Sequence, residues 1–233
     1  MLTKPVDDLL DASEWREFLR KNDFGQVVAP GRGLEMPVVT PLHFALVGED
    51  TAVFHLQRSN PMLQALRDNP ACMLAVIGSY VYIPSDWNAA PGEDVRWGVP
   101  TSYYATVQAS CTAEVVDGGA GVAEILNHLL AQFEPGGATH AVEAGGSPYG
   151  KLLGAIRGVR LHIEGVRGKF KFGGNRDSEH RRKVAGLLAQ RGGALDASAR
   201  EHVLRRDAAA GGPITVRVIE SPANGRSANE PAL

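Results

Sequence analysis

SYVYIPSDWNAAPGEDVRWGVPTSYYATV, residues 79–107, is the stretch on which the fold turns. Val81, Tyr82 and Ile83 end an apolar strand at Pro84, and Val99, Pro100 and Thr101 open another. The residues between them have no apolar period, yet they hold Trp87 and Trp97, two of the three tryptophans in the chain. Tryptophan is costly to leave in a mobile loop, so a loop with two of them is expected to pack on something. That partner is the protein's own core, a second subunit or a planar ligand.

Outward from this loop the chain reads mostly as strands. Ala105, Val107, Ala109, Cys111, Ala113 and Val115 alternate with Thr106, Gln108, Ser110, Thr112 and Glu114, the strongest strand signal present. Upstream, Ala71 to Ile83 is a long apolar strand suited to the middle of a sheet or barrel. Further strands are predicted over Phe24 to Ala29, Leu34 to Val47 (interrupted by prolines) and Thr51 to Gln57. Val159, Leu161 and Ile163 alternate with polar residues; the parity flips at Gly165 and Val166, Phe170 and Phe172 follow it, which predicts a bulge.

Helices are expected from Ser13 (as cap) to Asn22, after Asn60-Pro61 up to Asn69-Pro70, and around Val122 to Phe133. A short one is expected after Ser147-Pro148, another from Asp177 to Gln190, and another from Ser198, where Glu201 completes a capping box. A last strand is expected over Ile214 to Ile219. Strands that follow one another through short turns, with few helices, predict a mainly β (α+β) fold: an antiparallel barrel with peripheral helices. The expected division is a barrel domain over 1–192, a helical and strand extension over 193–220, and a disordered tail over 221–233.

The chain has 233 residues, 44% hydrophobic and 21% charged, with a net charge of -2. This suits one large globular domain and gives no global attraction to nucleic acid or anionic membrane. No apolar run is long enough to span a membrane, and the N-terminus lacks a secretory layout, so a cytoplasmic location is expected. Cys72 and Cys111 lie in apolar runs and read as small core residues of a reducing compartment.

Three places could carry chemistry. Arg58-Ser59-Asn60-Pro61 runs from a strand into a helix start, where free N–H groups, a guanidinium and a hydroxyl could cradle a phosphate; a plain capped helix explains the same residues. His43 and His55 each neighbour a phenylalanine on a strand and could donate to a carbonyl or phosphate oxygen, or simply be satisfied by backbone. From Arg157 to Lys183 there are nine Lys/Arg against three Asp/Glu, enough to hold a phosphate or touch a nucleic-acid backbone. Within it Lys169 and Lys171 share one face, whereas Arg181, Arg182 and Lys183 read as a solvated helix face. The histidines are scattered and no metal-ligand spacing occurs. No Walker loop, GxGxxG or GxSxG elbow is present; a helix-turn-helix could be laid over Asp177 to Asp207, but its second helix is not enriched in residues that read base edges, and generic antiparallel helices explain it equally well.

Taken in order, four stretches resemble the PaiB family, FMN-binding negative transcriptional regulators of the split-barrel flavin fold. His55-Leu56-Gln57-Arg58-Ser59-Asn60-Pro61 is similar to the family's HVARANP, and Gly78 to Trp87 to its GPHAYISPSWY. Val99 to Tyr104 is similar to VPTWNY, and Gly168 to Arg176 to EGKFKLSQNR. The resemblance implies a homodimer with FMN between subunits. It places His55, Arg58, Ser59 and Asn60 at the phosphate and ribityl chain, Trp87 in the wall, and Pro100, Thr101, Tyr103, Lys169, Lys171 and Asn175 around the rest, some from the second subunit. The chain departs from the family at Asn88, Ser102, Tyr103 and Gly174, and His43 is displaced within Pro41-Leu42-His43-Phe44. Those changes remove an aromatic wall and polar donors, so weakened FMN binding is expected. The resemblance also implies DNA as a partner. The other readings are an FMN-dependent oxidoreductase using NAD(P)H, and a split-barrel dimer without flavin that serves as a binding module.

Overall fold

The computed structural model describes residues 1–210, apart from 32, 34, 91, 138 and 147. Seven strands, β1 (Phe24–Ala29), β2 (Val38–His43), β3 (Ala45–Val47), β4 (Thr51–Gln57), β5 (Ala71–Ile83), β6 (Thr101–Val116) and β7 (Ile156–Lys171), form one sheet. Their order is β2-β1-β5-β6-β7-β4-β3, and every pairing is antiparallel.

The two edge strands, β2 and β3, are separated in the chain by Phe44 alone. One residue spans only about 3.8 Å between successive Cα atoms. The two edges of the sheet must therefore meet, and the sheet is rolled into a barrel that is split between β2 and β3. Phe44 is fully buried. Its N–H donates to the Asp23 carbonyl (2.9 Å), and its own carbonyl accepts from the Gln132 side chain (3.2 Å). The single returning strand expected over Leu34 to Val47 is thus two strands on opposite edges. Pro41 is tolerated because β2 is an edge strand, which needs no inner ladder donor there.

The long strands follow their sequence pattern. Ala105, Val107, Ala109 and Cys111 of β6 are buried, together with Leu74 and Val76 of β5 and Phe170 of β7. In the β6–β7 pairing Ser110 opposes Gly165 and Cys111 opposes Ile163, so Glu164 is the extra residue of a bulge beside the predicted Gly165. A second irregularity, between Ile77 and Tyr80 of β5, has no comparable sequence signal. There a Cβ on Gly78 would come within 2.6 Å of the Phe18 ring, so the close approach requires glycine.

Helices α1 (Glu14–Lys21), α2 (Pro61–Asp68), α3 (Ser85–Asn88), α4 (Gly119–Phe133), α5 (Ser178–Arg191) and α6 (Asp196–Ala209) surround the barrel. Trp15, Phe18 and Leu19 of α1, Met62, Leu63 and Leu66 of α2, and Val184, Leu188, Ala199 and Val203 of α5 and α6 join the main core. Helix α4 builds a second cluster with Val53 and Val116 on the outside of the sheet. The buried Glu14–Arg206 pair (3.0 Å) ties α1 to α6.

Three helix-end expectations are corrected. The Ser13 hydroxyl donates to Asp11 (2.6 Å), and it is the Asp11 carboxylate that accepts the Glu14 N–H (3.0 Å). Helix α6 begins at Asp196, so no Ser198–Glu201 capping box forms; Ser198 bonds Ser79 (2.5 Å) and Glu201 pairs with Lys21 (3.3 Å). The stretch after Pro148 makes turns and one 3-10 turn, Leu153–Ala155. The expected strand over Ile214 to Ile219 and the tail over 221–233 lie outside the described residues. Among the described residues no helix is long and apolar enough to cross a membrane.

One half-buried histidine couples this packing to pH. His202 stacks on Phe172 (ring centroids 4.5 Å apart, planes at 16°) and tilts against Phe170. Burial, reinforced by Arg205, Arg206 and Lys21 and opposed by Glu201, holds its pKa down to about 4, below the usual 6.5. The unfolded chain therefore takes up this proton first. Stability is complete above the usual value and is lost as pH falls toward 4, by up to about 3 kcal/mol. Urea denaturation at neutral pH and at about pH 4 should show that loss, and His202→Phe should remove most of it; an unchanged acid slope in the variant would contradict the assignment.

Candidate functional site

Arg58, Ser59 and Asn60 form the turn from β4 into α2. Most of the backbone donors expected to be free there are used. The Arg58 N–H donates to the Ala155 carbonyl (2.8 Å) and that of Asn60 to Gln57 (2.9 Å). The Met62 N–H goes to the Asn60 side chain (2.9 Å) and that of Leu63 to the Asn60 carbonyl (3.1 Å). Asn60 is thus the helix cap. Among the described residues, the Ser59 N–H, the Ser59 hydroxyl and the Arg58 guanidinium have no protein partner, and Arg58 and Ser59 are exposed. The phosphate-binding capacity of this turn therefore rests on those two residues.

His55 stands beside them on β4. Among the described residues its buried Nδ1 has no hydrogen-bond partner, an unmet polar group of the kind found at functional sites. Burial, with a smaller contribution from His43, lowers its pKa, so the ring is held neutral. The two imidazoles meet edge to face (5.9 Å), and His43 meets Phe133 in the same way (5.1 Å).

The other candidates gather where β6 begins and β7 ends. Lys171 Nζ donates to the Thr101 hydroxyl (2.6 Å). Lys169 Nζ donates to the Leu2 carbonyl (2.9 Å) and lies 5.7 Å from the Tyr104 ring centre. Tyr80, Tyr104 and Lys171 line up across β5, β6 and β7, and Ile77, Thr106 and Lys169 form the next row. Ile77, Tyr80 and Tyr82 on this outer face are exposed. Pro100 and Asn175 are exposed nearby in the chain, whereas Tyr103 is buried against Phe172 (6.0 Å). Burial raises the Tyr103 pKa, so it remains a neutral phenol.

The two groups sit at opposite ends of β7. His55 pairs with Gly158, and Tyr104 pairs with Lys171, thirteen residues further on. At about 3.3 Å per residue this is roughly 40 Å of strand. The described fold brings His55, Arg58, Ser59 and Asn60 together, and separately brings Thr101, Lys169 and Lys171 together.

Between the strands, the loop of residues 84–100 is packed on α5. The Arg191 guanidinium lies over Trp87 (4.8 Å), donates to the Tyr82 carbonyl (2.8 Å) and pairs with Asp196 (2.5 Å). Asn88 donates to the Val99 carbonyl (2.7 Å) and bonds His180 (3.1 Å). Arg191 carries no local signal, because its role depends on a contact about a hundred residues away. Two departures from the PaiB pattern thereby acquire structural roles. Asn88 is a buried pin of the loop, and a Cβ on Gly174 would stand 2.1 Å from the Val6 carbonyl, so the N-terminal segment fills that space. Ser102 is half-buried and pairs with Tyr82.

The remaining local signals are largely internal. Arg157 pairs with Asp117 (2.6 Å), Arg160 with Glu114 and Glu124 (3.1 and 3.0 Å), and Arg181 and Arg182 with Asp207 (3.1 and 3.0 Å). Arg182 and Lys183 are exposed, as expected of a solvated helix face, whereas Arg181 is buried. Cys72 and Cys111 are free thiols opposite each other on β5 and β6, and burial pushes their pKa values up to about 11 and about 12. They are poor nucleophiles. No group of His, Cys, Asp or Glu among the described residues could hold a metal ion.

A neutral histidine with an unmet nitrogen, a free guanidinium with a hydroxyl, and a Lys–Thr pair beside tyrosines fit the phosphate and polar ring edge of a mononucleotide flavin. Comparisons agree. The FAD and heme binding protein of Mycobacterium smegmatis superposes with a TM-score of 0.57 at 20% identity, over 72% of this chain and 74% of that one. The conserved hypothetical protein Rv2991 of Mycobacterium tuberculosis gives 0.52 at 12% identity, over 73% and 91%. The flavocytochrome Anf3 of Azotobacter vinelandii gives 0.51 at 18% identity, over 70% and 68%. At these identities the likeness concerns the fold, the flavin-binding split barrel. No curated protein matches the sequence. The family model described as "Putative FMN-binding domain" matches residues 1–165; the chain belongs to this FMN-binding family, and its cofactor is a flavin.

Proposed function

We propose that this protein is a homodimeric flavoprotein in which each FMN is held by two chains. Arg58, Ser59 and His55 of one chain take the phosphate end, and Thr101, Lys169 and Lys171 of the other, with the loop walled by Trp87, take the ring end. The observation that carries this reading is the placement of the two groups at opposite ends of β7, too far apart along the strand for one mononucleotide. The exposed outer face of β5 (Ile77, Tyr80, Tyr82) supplies an apolar surface for the second chain.

Bound FMN would supply hydride or electron transfer. This chain's residues would bind and orient it: Arg58 as a bidentate phosphate partner, neutral His55 as a hydrogen-bond partner, and Lys171 as a fixed positive charge near the ring's polar edge. We favour a flavin-dependent oxidoreductase over a DNA-binding role, because two of the three arginines of α6 are engaged elsewhere. Arg206 is bound to Glu14 (3.0 Å) and Arg205 to Glu17 (3.0 Å). The PaiB-type regulator is the second reading, supported by the four ordered sequence stretches.

Titration of the purified protein with FMN, followed by visible absorption, tests the cofactor site. Arg58→Ala should weaken binding by roughly ten- to a hundredfold, the equivalent of one charge-assisted hydrogen-bond set; unchanged affinity would refute the phosphate assignment. Bleaching of the flavin by NADH or NADPH would support the oxidoreductase. A salt-sensitive mobility shift confined to particular promoter fragments would support the regulator instead.

A further inference from the structure

Trp97 has no role in the site as described so far. It ends the 3-10 turn Val95–Trp97, four residues before Thr101. It is 75% exposed, between Val95 and Val99, which are also exposed. The other tryptophans are occupied, Trp15 in the core and Trp87 under Arg191. Among the described residues Trp97 has no aromatic or cationic partner.

The backbone that carries it is nevertheless fixed. The Trp97 N–H donates to the Asp94 carbonyl (2.9 Å), and the Asp94 side chain accepts from the Arg96 N–H (2.9 Å). On the other side, Asn88 holds the Val99 carbonyl (2.7 Å). Gly98 is buried so tightly that a Cβ would lie 1.8 Å from the Ser85 carbonyl. A bare indole on a loop held at so many points is a preformed flat surface, and binding to it requires little further ordering. Its position in the chain is also specific: it leads directly into Thr101, the partner of Lys171.

We propose that Trp97 stacks on the flavin ring bound across the subunit interface, with Val95 and Val99 as an apolar rim that keeps water from that face. The proposal rests on the two-chain reading above, which brings the ring to the Thr101–Lys171 end. It adds a contact that the family-like sequence stretches do not contain.

The test compares wild type, Trp97→Phe and Trp97→Ala, using FMN titrations read by tryptophan and flavin fluorescence, with sedimentation to report the oligomer. FMN should quench tryptophan emission in the wild type, and bound FMN should itself be dim, as flavins stacked on indoles are. Trp97→Phe should keep most of the affinity and lose the share of the tryptophan quenching that Trp97 adds to that of Trp87. Trp97→Ala should bind about tenfold more weakly, the loss typical of one stacked ring, and its bound flavin should brighten. The oligomer should be unchanged. Equal affinity and equally dim flavin in Trp97→Ala would overturn the proposal, as would a dissociated dimer, which would make Trp97 a packing residue. If wild type and Arg58→Ala differ in FMN affinity while Trp97→Ala matches wild type, only the stacking role fails. If the wild type binds no FMN, the whole site fails with it.

Discussion

Phe44 is the constraint on which the rest of the structure depends. A seven-stranded antiparallel sheet whose two edges are one residue apart in the chain has no choice but to roll up. Once rolled, its inner face must be filled: Phe44 fills it from the connection, Phe54, Phe170 and Leu74 from three strands, and Met62 and Leu63 from α2. The closed edge is also held by polar contacts: Gln132 of α4 donates both to the Phe44 carbonyl and to Asp23 (3.2 Å each). Helix α4 therefore serves as a clasp across the split, and its end places Phe133 against His43, next to His55.

The same closure separates the binding groups. Short strands β2, β3 and β4 complete the barrel near the start of β7, while β6 and β7 run on beyond them to Thr101 and Lys171. Past Ile163 the edge of β7 meets the N-terminal segment, where the Thr3 hydroxyl donates to the Gly168 carbonyl and the Leu2 carbonyl accepts from Lys169. This leaves Arg58 and Ser59 by the split and Lys169 and Lys171 on the outer face of the long strands. The two-fold arrangement proposed above would bring both groups around one flavin.

How much of this could be read in the sequence depended on how local its cause was. The alternation of Ala105 to Val115, the Asn60-Pro61 helix start and the parity slip at Gly165 are each settled within a few residues, and strand β6, helix α2 and the bulge follow them closely. The division of Leu34 to Val47 between two sheet edges was hidden, because nothing about Phe44 differs locally from any other strand phenylalanine. Helix caps were misjudged where a competing acidic group lay nearby: Asp11 displaced Ser13, and Asp196, fixed by Arg191, moved the start of α6 ahead of Ser198. At the site, residue types were legible but satisfaction was not. That Asn60 and the Ala155 carbonyl consume the turn's donors, and that Arg58 and Ser59 remain open, depends on a register set by the whole sheet.

Mixing two defective chains addresses the two-chain site most directly. With FMN kept below the dissociation constant of either variant, Arg58→Ala and Lys171→Ala would each leave the corresponding homodimer nearly empty. In a co-refolded mixture, a two-fold dimer built from one chain of each kind would regain one intact site. FMN occupancy should then recover to about a quarter of the wild-type level, as expected for random pairing in a symmetric dimer. If the mixture binds no more flavin than the two variants apart, the site lies within a single chain and the two-chain reading is wrong.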